Sequence, residues 1–157
     1  MTEDDIIKFV TSLPGVDATR ASKDNGAPEA AWGHTFFFYD PDRDQPADHR
    51  MPFATIVTSN YDGFDEASEL NRPGVYRLNI AVGRQAFQEL LGYRPGTRPD
   101  GPAGVDYAAL DRLMPHPVYA GQAWVSILNP GAATSDQVVD LLTRAHARAV
   151  RRHRPRR

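Results

Sequence analysis

Apolar residues recur along this chain with two different periods, and the change from one to the other marks its elements. Near the start, Ile6, Phe9, Val10 and Leu13 share one face of a helix. Thr2 stands at the N-cap position. Glu3, Asp4 and Asp5 fill the first turn, where the helix dipole favours anions, and Pro14-Gly15 ends the helix. The period then drops to two. Residues 16–22 predict a short strand, and the Asn-Gly pair within 23–28 predicts a turn. An aromatic strand follows over 30–40, then a long polar loop over 40–50. Two β-rich runs, "PFATIVTSN" and "GVYRLNIAV", come next, with a polar segment over 62–73 between them.

Helical spacing returns at 83–93, where Phe87, Leu90 and Leu91 are apolar and Gly92 suits a C-cap. A Pro/Gly loop over 94–104 precedes a helix-like stretch at 106–114, with Tyr107, Leu110 and Leu113 or Met114 on one side. A last strand is expected around 123–128. A long helix then carries Val138 or Val139, Leu142, Ala145 or His146, and Ala149 at i, i+3/i+4. Strands gathered between terminal helices predict an α+β single domain: an antiparallel β-sheet with the N-terminal and C-terminal helices packed on one face. The other face is expected to be open. The domain is expected over residues 1–150, with a basic tail at 151–157.

Strand alternation sorts the polar residues by face. Tyr76, Leu78, Ile80 and Val82 form an apolar side, so Arg77 and Asn79 point the other way. Ala123, Val125 and Ile127 read as core, which turns Trp124 and Ser126 outward. Trp32 and His34 alternate with Phe36 and Phe38. One reading collects Trp32, His34, Arg77, Asn79 and Trp124 on the face without helices, a surface suited to a small polar ligand. The other has these strands alternate between two half-buried faces, with the tryptophans sealing the sheet.

Composition narrows the chemistry. A chain of 157 residues without cysteine has no disulfide, thiol nucleophile or thiolate metal site. No lysine follows Lys23, so there is no P-loop; G-x-G-x-x-G, G-x-S-x-G and H-E-x-x-H are also absent. Asp40, Asp42 and Asp44 begin like a calcium loop. Gln45 then replaces the glycine of the bend, and Met51 replaces the bidentate glutamate. Among His34, His49, His116, His146 and His153 no pair has i, i+4 spacing. No metal and no cofactor are expected. No apolar run reaches the roughly 18 residues of a membrane span, and the acidic start is unlike a secretory signal. The expected location is cytoplasmic, with no membrane partner.

His116 lies between Pro115 and Pro117, which hold the backbone extended and aim the imidazole in one direction. Three roles fit it: a ring satisfied by the backbone, a ligand contact, or an acid/base. Tyr119 and Trp124 follow in the same segment. The net charge of −2 conceals an asymmetry, because residues 144–157 hold seven arginines and no acid. The rest of the chain keeps 11 basic against 20 acidic residues. Arg144, Arg148, Arg151, Arg152, Arg154, Arg156 and Arg157 either contact phosphates or form a solvated helix end, and the acidic remainder opposes a polyanion.

Six segments in order, "SLPGV", "APEAAWGHTFFFYDP", "PFATIVT", "RPGVYRLNIAVGRQAFQELLG", "PHPVYAGQAWVSILNP" and "LLTRAHARA", resemble a bacterial, mainly actinobacterial, domain of unknown function (number 6194). The resemblance covers nearly the whole chain and implies no activity. More distantly, the Pro-Gly after the first helix and the late Trp-containing strand are similar to the MmcQ/YjbR family. That likeness implies a CyaY-like α+β fold and, through the "double wing" proposed for that family, a nucleic-acid partner. This chain departs from the pattern in having no lysine before Trp124 and in its acidic body.

The leading expectation is a small binding domain with an undetermined ligand near His116, Tyr119 and Trp124. Nucleic-acid binding through the arginine-rich end is the first alternative. An enzyme of unassigned chemistry, with His116 or His34 as acid/base, is the second.

Overall fold

Three helices and six strands make up the computed structural model, which describes residues 1–46, 50–97 and 104–155. Helix α1 (Glu3–Thr11) opens with a reciprocal cap: Thr2 Oγ1 accepts from the Asp5 amide at 3.1 Å, and Asp5 accepts from the Thr2 amide at 2.8 Å. Strands β1 (Val16–Arg20), β2 (Thr35–Tyr39), β3 (Ala54–Val57) and β4 (Arg77–Ala81) form a meander. After helix α2 (Arg84–Leu91) come β5 (Leu113–Pro115), β6 (Trp124–Leu128) and helix α3 (Ser135–Arg152). The sheet order is β1-β2-β3-β4-β6-β5, antiparallel throughout. This is the α+β, single-domain architecture that the periodicity predicts.

Register fixes what each face carries. One cross-strand row runs Thr35, Ile56, Leu78, Ile127, Leu113, and the next runs Phe36, Thr55, Asn79, Ser126, Met114. Adjacent rows point to opposite sides of a pleated sheet. On the first side Leu78, Ile80, Val125 and Ile127 pack with Ile6 and Val10 of α1, Phe87 of α2, and Val138, Leu141 and Leu142 of α3. Fully burying such a side chain stabilises the fold by about 1.5–3 kcal/mol.

The second side is not open over its centre. Val57, Leu70, Met114 and Leu128 form a smaller core there, joined by Tyr61, Val75, Val105 and Tyr107 from the connections that cross it. Alternation identified the face correctly, but it cannot see coil folding back over a sheet.

Two expected elements also differ. The aromatic run forms a strand only from Thr35; Glu29–Ala31 is a 3-10 turn behind Pro28. The helix expected over 106–114 is absent. Asp111 adopts a left-handed backbone, φ 54°, which stops a helix. Its carboxylate instead holds the turn that leads into α3, accepting from the amides of Gly131, Ala133 and Thr134 at 2.8–3.1 Å and from Thr134 Oγ1 at 2.6 Å. Leu113 to Pro115 then pair with β6.

Those four donors, the Thr134 hydroxyl first, pull the Asp111 carboxyl down to about 2. A depressed carboxylate contributes stability above its unfolded pKa of 3.8 and loses it as pH falls towards 2. Replacing Asp111 with Asn should therefore lower the melting temperature at neutral pH. The gap to the parent should close between pH 4 and 2, as followed by circular dichroism.

Candidate functional site

Arg77, with no exposed surface, is the largest fully buried side chain. β4 places it on the second face of the sheet, where a guanidinium must find partners for every N–H. Asp65, from the connection between β3 and β4, takes both terminal nitrogens, at 3.0 and 2.5 Å. Ser68 Oγ accepts at 3.0 Å, and Nε donates to Asn79 Oδ1 at 2.8 Å. Asn79 in turn donates to Thr55 and accepts from Ser126. These residues bond to one another beneath the β3–β4 connection. Arg77 and Asn79, expected as ligand contacts, are interior here.

His34 and His116 lie close enough to Arg77 and Asp65 to feel their charges. His34 has no exposure and bonds Tyr61 Oη and Ser59 Oγ through its two ring nitrogens, at 2.8 and 3.1 Å. His116 is 4% exposed, and its Nδ1 accepts from the amides of both Val118 and Tyr119 at 2.9 Å. Two donors on Nδ1 place the proton of the neutral ring on Nε2. Burial above all, then the Arg77 charge, draws its pKa down to about 3. Such a ring can donate a hydrogen bond from Nε2, but it has no free lone pair to act as a base at neutral pH.

Rings continue across this face. His116 meets Tyr119 and Trp124 at centroid distances of 5.0 and 6.4 Å, and Tyr119 meets Phe64 at 6.2 Å. Trp32 does not join them. It binds the Ala27 carbonyl through Nε1 and sits near the start of β2, whereas Trp124 opens β6 beside the end of β4. The two tryptophans lie at opposite ends of the sheet.

The arginines of the C-terminal segment separate by role. Arg144 faces Glu89 and Asp140, at 3.9 and 3.5 Å. Arg151 is exposed. Arg148, Arg152 and Arg154 line a cleft of about 640 Å³ where β2 and β4 end and β3 and β6 begin. Arg156, Arg157 and the expected loop residue His49 lie outside the described residues.

That cleft is built from the last turns of α3 and from the sheet's rim. Arg50 and Arg84 complete a set of five arginines, and Phe38, Met51, Pro52, Phe53, Ala81 and Trp124 supply apolar wall. Among the described residues, no aspartate or glutamate lines it. Arg50 is neutralised by Asp17 and Asp40, at 2.5 and 3.3 Å, and lies 4.0 Å from the Phe38 ring centre. For Arg84, Arg148 and Arg152 there is no carboxylate partner among the described residues.

Arg148 crosses Gly83 so closely that a Cβ there would stand 2.8 Å from its Nε, and Gly83 has φ 87°. Glycine is needed at that crossing. Burial, with Arg152 and Arg151 adjacent, lowers the Arg148 pKa from its usual value. Gln45 donates to the Arg154 carbonyl at 3.4 Å, which ties the 40s loop to the chain beyond α3.

The charge asymmetry of the C-terminal segment pointed to Arg148, Arg152 and Arg154, and strand alternation pointed to Trp124. Neither signal found Arg84, one residue beyond an unremarkable Gly83, or Arg50 in a polar loop. Asp65 and Asp111 were also missed; the one signal for Asp65 was that a strand burying Arg77 requires a carboxylate. Among the described residues, no three His, Asp or Glu side chains are grouped as metal ligands, and no helix is long and apolar enough to cross a membrane.

The chain matches a family of unknown function (DUF6194) over residues 1–157. No curated protein and no solved structure matches it.

Two outcomes test this geometry. Asp65→Asn leaves a buried guanidinium uncompensated and should cost about 3–5 kcal/mol of folding free energy in urea titrations. For His116 the unfolded ring binds a proton at about 6.5 and the folded ring only near 3. Stability should therefore fall as pH drops through that window, by up to about 1.4 kcal/mol per pH unit. His116→Asn, which keeps an acceptor for the two amides, should flatten that slope.

Proposed function

The chain belongs to DUF6194, a family of unknown function, and we propose that it is a binding domain that takes a small anionic ligand in the arginine-lined cleft. The observation that carries this reading is the lining itself: among the described residues, five arginines and no carboxylate surround about 640 Å³. Volumes of roughly 300–1,000 Å³ are typical of small-molecule sites. Uncompensated guanidiniums converging on one space repel each other, and an anion relieves that repulsion through short, often bidentate, hydrogen bonds.

A small ligand fits better than a polynucleotide. Only part of the arginine-rich segment faces the cleft, Arg144 is occupied by two carboxylates, and the rest of the chain carries 20 acids against 11 bases. An acid/base enzyme centred on His116 is disfavoured by its tautomer, because Nδ1 is engaged by two amides. His116 and Tyr119 are then supports of the wall that carries Trp124, not the primary contacts.

Calorimetric titration with inorganic pyrophosphate at low salt tests this reading. Saturable binding that weakens with added salt is expected, because the contacts are ionic. Arg84→Ala and Arg152→Ala change exposed side chains and should each weaken binding about fivefold or more, as the loss of one charge-assisted hydrogen bond implies. Absence of binding by pyrophosphate, phosphate and nucleotides alike would end the proposal.

A further inference from the structure

The cleft has two chemically different halves. One part of its lining is the guanidiniums of Arg84, Arg148 and Arg152; another is the apolar side chains of Trp124, Phe53, Pro52 and Met51. A site for a bare inorganic anion needs only the first half. The second half is apolar and aromatic, and it belongs to the same space.

The distance between the halves follows from the chain. Ala81 pairs with Trp124 across β4 and β6. Arg84 is three residues further on, and three extended residues span at most about 11 Å. Arg148 crosses the intervening Gly83, so Arg84 and Arg148 line the same cleft as the wall that ends in Trp124. Trp124 itself is half-buried, with one edge held by His116 at 6.4 Å between centroids. An indole fixed in this way can offer a surface to a planar group at small entropic cost.

We propose that the ligand is a phosphate ester of a planar aromatic molecule, of the nucleoside phosphate class, with its phosphate on Arg84, Arg148 and Arg152 and its ring against Trp124. This rests on the anion-binding reading and adds to it a ring-recognising half. Both halves are needed for the full affinity: the arginines supply charge, which any anion can use, and Trp124 supplies preference for a ring. Arg50 has its charge matched by Asp17 and Asp40 and its guanidinium over Phe38. It therefore shapes the wall without adding to the phosphate's share.

The test uses the full chain carrying Trp32→Phe, which leaves Trp124 as the single indole of the two. Four probes are compared by intrinsic fluorescence and calorimetry: adenosine diphosphate, inorganic pyrophosphate, adenosine, and a single-stranded oligonucleotide. Adenosine diphosphate is expected to bind about tenfold or more tightly than pyrophosphate, in keeping with base–aromatic stacking, and to change the Trp124 emission. Adenosine alone should bind far more weakly than either.

In the chain that keeps Trp32, Trp124→Leu should erase the preference for the nucleotide while leaving pyrophosphate binding intact, which also reports that the variant is folded. Trp124→Phe should restore part of the preference. Equal affinity for pyrophosphate and nucleotide, or an unchanged preference in Trp124→Leu, would overturn the ring-recognising half and leave the anion site standing. Tighter binding of the oligonucleotide than of the mononucleotide would overturn the small-ligand assignment in favour of a polynucleotide. No binding of any anion would remove the underlying reading as well.

Discussion

A guanidinium taken wholly out of water dictates how one side of this sheet is finished. Arg77 sits on β4 with no exposed surface, and the cost of desolvating it is several kcal/mol before any partner is counted. Asp65 offsets that cost with two parallel hydrogen bonds, and Ser68 and Asn79 take further N–H groups. Asp65 and Ser68 belong to the connection between β3 and β4, so the pair draws that coil down onto the sheet. Leu70 then reaches Val57, Met114 and Leu128. The second core exists because the ion pair brings its cover into place.

The same charges explain the state of the nearby imidazoles. Burial and the Arg77 charge both disfavour a cation at His34 and His116, so each ring is held neutral and used as a hydrogen-bonding spacer. The positive charge left unmatched is exported to the end of the sheet beside α3. Arg77 is thus interior and paired, while Arg84, Arg148 and Arg152 share a space that no acid lines among the described residues. That contrast separates an ionic group serving the fold from a set available to a ligand.

Much of this architecture is legible in the sequence. Period 3.6 marked α1, α2 and α3, and period two assigned Leu78 and Ile80 to one face and Arg77 and Asn79 to the other. Alternation carries no information about height along a strand, which is why Trp32 and Trp124 could be grouped although the register puts them at opposite ends. It is also blind to coil, so neither the cover over Arg77 nor the partner Asp65 was visible. The stretch at 106–114 has helical spacing in Tyr107, Leu110 and Met114. One residue, Asp111, overrides it by turning left-handed to hold the turn at 131–134 that leads into α3. The cleft was half legible: its α3 arginines and Trp124 stood out by type, while Arg50 and Arg84 joined them only through tertiary packing.

Helix α3 is wall to two compartments at once. Its first turns hold Val138, Leu141 and Leu142 in the core, and its last turns hold Arg148 and Arg152 at i, i+4 spacing over the cleft. Like charges so spaced oppose helix formation, so the helix works against itself at one end while the core anchors it at the other. An anion seated between those arginines would cancel the opposition and tighten the final turns. Occupancy of the cleft would then be read in the order of the helix end, a coupling that needs no hinge, no lid and no second conformation of the sheet.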